Sequence, residues 1–76
     1  MKEAEVALVF EQFKNEVASW TDEQLLDAWI AHQDKEVVVP DIDLLKSTHM
    51  EALLIEKYGL MNWQGVVATR RQVKNA

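Results

Sequence analysis

The sequence predicts an all-α fold, a small orthogonal bundle of four to five short helices with an extended valine-rich connector over residues 36–40. Three observations carry that expectation. Apolar residues recur at helical spacing rather than alternating. Helix-capping residues stand just ahead of those stretches. The one run of consecutive β-branched residues, Val37 to Val39, finds no second strand-like segment to pair with.

The first helix is expected in EAEVALVFEQFKNEVASW. Val6, Phe10, Phe13, Val17 and Trp20 follow the i, i+4, i+7 rhythm, and Val9 widens the stripe. Glu3 and Glu5 stand in the opening turn, where negative charge complements the helix dipole. Leu8 lies off the stripe, so this helix either sits centrally or packs against a partner chain.

TDEQ at Thr21 reads as a capping box, with the Thr21 hydroxyl accepting from the Gln24 amide and the Gln24 side chain reaching back. Trp20 just before it is placed to staple onto Leu25. Leu25, Leu26, Trp29 and Ile30 then make the apolar face of a second helix, with Asp22, Glu23 and Asp27 off it. The valines that follow favour extended backbone, and Pro40 pushes Val39 away from helix geometry. The segment is expected to lay its valines on the core; the alternative is an edge that adds a strand from a second copy or a partner.

Asp41 is a candidate cap for a third helix, and THME at Thr48 is a second candidate capping box. Two caps favour a break near Ser47 over one helix from 41 to 58. Met50, Leu53, Leu54 and Tyr58 are expected inside, with Gly59 ending the helix in a Schellman arrangement that brings Leu60 onto Ile55. Asn62 is placed to cap the last helix, with Trp63, Val66, Val67 and Val73 on its inner side. Gly65 weakens it by roughly 1 kcal/mol relative to Ala.

At 76 residues the chain is expected to form one helical domain, 1–76. A chain of that length buries roughly 60% of its unfolded surface, so stability should be marginal. It has no cysteine, so neither a disulfide nor a thiolate zinc site reinforces the core. An apolar fraction of 49% and three tryptophans oppose intrinsic disorder. Val6 to Phe10, the longest apolar run, is far short of the roughly 20 residues of a membrane span. It is also too short and too acid-flanked for a signal peptide. A free-standing cytoplasmic protein is the expectation.

Catalytic chemistry is thin. Ser19 and Ser47 lie near expected helix boundaries, where capping explains serine. Gly59 and Gly65 are the only glycines, which leaves no phosphate-cradling loop. His32, Asp34 and Glu36 alternate as if to gather a divalent ion, but a solvated loop is the stronger reading. Asp34, Glu36, Asp41 and Asp43 lack the central Gly and terminal Glu of a calcium loop. No enzyme, cofactor or metal is expected.

WTDEQLLDAW and YGLMNWQGVVATRRQVKN resemble the tryptophan-punctuated helices of Myb/SANT DNA-binding repeats. In those repeats an early Trp–acidic helix is followed by a Gly, a second Trp and a basic final helix. The matching positions are Trp20, Asp22, Glu23, Leu26, Gly59, Trp63, Arg70 and Arg71. Trp20 and Trp63 stand 43 positions apart, about twice the family's interval, with a proline-containing connector and a further helix between. The reading adopted does not rest on this resemblance.

Charge is the remaining lead. The net charge is −5, and it is uneven: residues 1–46 carry eleven acids and four bases, residues 47–76 two acids and four bases. Three of the eight bases, Arg70, Arg71 and Lys74, fall in the last seven positions. They form a basic patch for a nucleic acid, for an acidic partner or for the chain's own acidic half. The helix dipole already accounts for them, and three phosphate contacts bring only a modest gain. The leading expectation is therefore a small acidic non-enzymatic protein that binds another protein with a basic surface. It would act as an inhibitor, adaptor or accessory regulatory factor, of a type common among phage and mobile-element products, steering its partner with Asp22, Glu23 and Asp27. The alternatives are a nucleic-acid-binding regulator using the basic last helix, and a subunit that self-associates, as a homodimer for instance, through the first helix or the valine segment.

Overall fold

The computed structural model describes residues 2–75. Four helices make up the fold, α1 (Glu3–Val17), α2 (Asp22–Asp34), α3 (Pro40–Tyr58) and α4 (Trp63–Asn75), with no strand among the described residues. The Thr21 capping box forms in full: Gln24 N–H donates to Thr21 Oγ1 at 3.2 Å and Thr21 N–H to Gln24 Oε1 at 2.8 Å. Those two bonds satisfy backbone donors that the first turn of α2 would otherwise leave to water.

α3 corrects the expectation in two places. It runs unbroken through Ser47 and Thr48. Between Pro40 and Gly59 the sequence offers no helix breaker, and Ile42, Met50 and Leu54 make one continuous buried stripe that a break would put out of register. Its start also differs, because Val39 is the N-cap residue and Pro40 the first helical residue, a position where its missing N–H costs nothing. No side chain caps the helix, Asp41 included, but Asp43 ties back to the N-cap residue. The Asp43 carboxylate accepts from Val39 N–H at 2.6 Å, while Asp43 N–H donates to Val39 O at 2.9 Å.

The end of α3 differs as well. Gly59 has φ 92° and ψ 151°, outside the left-handed helical region a Schellman motif uses, and Leu60 is 69% exposed instead of resting on Ile55. That positive φ is strained for any residue with a Cβ. After the turn, Val66 N–H bonds Asn62 O at 3.1 Å, opening the ladder of α4 at the expected cap.

α3 is the hub, packed against each of the other helices, and α2 and α4 also pack together. The core is Phe13, Val17, Leu25, Leu26, Ile30, Met50, Leu54, Trp63 and Val67. The tryptophans belong to it: Trp63 is buried and meets Trp29 edge-on at 5.4 Å, and half-buried Trp20 meets Phe13 edge-on at 5.8 Å. Burying each ring adds apolar area plus a quadrupole contact. Both buried residues of α1, Phe13 and Val17, lie towards its C-terminal end.

The valines do not join that core. Val37, Val38 and Val39 are 77%, 60% and 42% exposed. Polar bonds hold this corner instead, from Lys35 and the Val39 N–H to the Asp43 carboxylate. Leu8 and Val73 are also outside, the latter against expectation. The accessible surface is 5382 Å², against about 4,800 Å² for a compact monomer of this mass. The radius of gyration, 13.1 Å, likewise exceeds the roughly 11 Å of a compact chain this long. Much apolar surface stays open.

Candidate functional site: the seam between α2 and α4

The acidic and basic patches predicted from sequence meet each other. Arg70 Nε and Nη2 donate to the two oxygens of Asp27 at 2.9 and 3.1 Å, a planar two-bond pair that fixes direction as well as distance. Lys74 Nζ approaches the same Asp27 carboxylate at 3.5 Å. Arg71 makes a second two-bond pair with Asp34, at 3.0 and 3.1 Å. Lys57, in the last turn of α3, reaches Asp22 at 2.6 Å.

The electrostatics follow the geometry. Arg70's hydrogen bonds hold the Asp27 carboxyl below the usual carboxylate range, against the opposing cost of burial. The Arg70 guanidinium is raised in turn by its bond to Asp27. Asp22 raises the Lys57 ammonium in the same way. The basic tail is thus spent on the chain's own acidic helix. Of the three acids expected to steer a partner, Asp22 and Asp27 are engaged, and Glu23 stands without an ion pair among the described residues.

Beside Glu23 lies a groove of about 630 Å³ lined by Leu26, Asn62, Gly65, Val66, Thr69, Arg70 and Val73. Helical spacing explains it. Gly65, Val66, Thr69 and Val73 form a second stripe along α4, beside the one that buries Trp63 and Val67, and Asn62 continues it just ahead of the helix. Nothing lies within 4 Å of where a Cβ on Gly65 would stand, so the wall there is open backbone. The chain entering α4 leaves Leu60 and Met61 69% and 89% exposed. Val66 is half-buried against the core, as expected, while Val73 is exposed, and placing Val73 inside hid the groove. The i, i+7 interval from Val66 to Val73 was the available signal.

Two of the three residues weighed as metal ligands, His32 and Asp34, are otherwise occupied, and Glu36 is exposed. His32 Nε2 lies 3.1 Å from the carbonyl oxygen of Asp43, and Asp34 is held by Arg71. Among the described residues no group of three potential ligands gathers, and no helix is long and apolar enough to cross a membrane. Comparisons with protein-family models, curated proteins and solved structures find no match to this chain.

Proposed function

We propose that this chain is a non-enzymatic protein-binding domain, an inhibitor, adaptor or accessory factor, that takes its partner in the α2–α4 groove. The observation that carries the reading is an open, mainly apolar groove with Glu23 and Arg70 on its wall, where Arg70 is paired with Asp27 and Glu23 has no ion pair among the described residues. Val66 and Val73, over the buried Leu26, offer the apolar contact that supplies affinity, and Glu23 favours a base beside the inserted side chain. The surplus of accessible surface over a compact monomer supports a partner as well. The excess of acids over bases opposes a nucleic acid or an anionic membrane in that role.

Affinity capture from the native host, with wild type and Glu23→Lys as paired baits, tests the reading. A partner protein should be retained by wild type and lose both yield and salt sensitivity on Glu23→Lys. Equal retention at every salt concentration would remove Glu23 and its groove from the reading.

A further inference from the structure

The corner joining α2 to α3 carries a second apolar face, remote from the groove in its lining residues. Val37, Val38 and Val39 are followed by Leu44 on the first turns of α3, itself 67% exposed. Between them is a hollow of about 420 Å³ lined by His32, Lys35, Val38, Pro40, Asp43 and Leu44. Consecutive exposed apolar residues of this kind are costly to leave in water and mark interaction surfaces.

The face is held in shape before anything binds. Asp43 is 5% exposed, and its carboxylate takes both the Lys35 ammonium and the Val39 N–H. The Asp43 backbone bonds Val39 O through its N–H, and its carbonyl meets His32. The valine segment is therefore anchored at Lys35 and at Val39, and little ordering remains to oppose association.

Charge decides the occupant. Lys35 is consumed by Asp43, while Glu36 and Asp41, exposed at either end of the valines, have no ion pair among the described residues. The rim is anionic. That disfavours an anionic lipid surface or a nucleic acid. A second copy docking face to face would set Glu36 and Asp41 against their own like charges. Strand addition is also short of backbone, because Asp43 already occupies both the N–H and the C=O of Val39. We infer that Val37, Val38 and Leu44 form a second docking face, for a segment of another protein that presents apolar side chains flanked by lysine or arginine. The two faces together would let one small chain bridge two partners.

The test is an amide chemical-shift titration of the full chain with a synthetic amphipathic peptide of leucine and lysine. Polylysine and the same peptide with glutamate for lysine serve as controls. The expected result is saturable shifts confined to residues 35–47, weakened by salt and small for both controls. Val38→Asp with Leu44→Asp, both at exposed positions, should weaken binding on the order of tenfold without lowering the melting temperature. Val73→Asp should leave it unchanged, which separates this face from the α2–α4 groove. Shifts that fail to saturate, centre on Glu23 and Val66, or appear equally with polylysine would overturn the inference. So would dimerisation in sedimentation that Val38→Asp abolishes.

Discussion

Arg70 and Asp27 lie 43 positions apart in sequence and meet through two parallel hydrogen bonds that tie α4 to the middle of α2. The pair is about two-thirds buried at both side chains, so solvent screens it less than a free surface bridge. Removing either partner should lower the melting temperature. The double variant Asp27→Arg with Arg70→Asp should recover part of the loss, since the attraction survives with its direction reversed. Thermal unfolding of the four proteins gives the coupling, and additive losses with no recovery would mean the two residues act separately.

The same geometry sets an expectation for the whole basic tail. Replacing Arg70, Arg71 and Lys74 with Ala strips the cations from Asp27 and Asp34, so the variant should unfold at lower temperature. Wild type should show no nucleic-acid retardation at low salt, because its tail cations are paired and its net charge is −5. A shifted nucleic-acid band that the triple variant abolishes would restore the tail as a phosphate grip.

Acid should loosen the fold from two points. The Asp43 carboxyl is held below the usual range by its bond to Lys35 and then by the Val39 N–H, and Asp27 by Arg70. A depressed carboxylate stabilises the fold above its unfolded pKa, and that contribution is lost as pH falls through the folded value. Stability should therefore be flat near neutrality and decline from about pH 4 downwards. Asp43→Asn keeps an acceptor for Val39 and removes the negative charge that faces the Lys35 ammonium. It should be less stable at neutral pH and show a shallower acid decline, read by urea unfolding at stepped pH.

Gly65→Ala should raise stability by up to about 1 kcal/mol, since it improves helix propensity and meets nothing within 4 Å. For a domain of this size that corresponds to roughly 4–8 °C in melting temperature. A lower melting temperature would place an unseen contact at the open wall of the groove.

Local rules were legible in the sequence wherever one element decides the outcome. The Thr21–Gln24 box and the stripe of α2 follow from spacing alone. So does the inward placement of Trp63 and Val67. What escaped depended on residues distant in sequence. THME has the letters of a capping box, but a box forms only where the chain leaves helix geometry, and the Met50–Leu54 stripe keeps α3 continuous across it. The valines look like core by composition but stay exposed, and the Asp43 junction beside them joins residues from both sides of the corner. The acidic patch was legible as charge, and the chain's own acidic half was one recipient open to the basic tail; the individual pairings were not legible, because the partners of Asp22, Asp27 and Asp34 arrive from α3 and α4.

The docking role of the groove is tested most directly by a photo-crosslinking residue placed at Val73, 60% exposed on the groove wall, in the full chain expressed in its native host. A matched chain carries the crosslinker at Asn15, exposed on α1. The account predicts a discrete protein adduct at position 73 that is absent at position 15 and is lost when Glu23→Lys is added. Identical adduct patterns at the two positions, or an adduct to nucleic acid at 73, would contradict it.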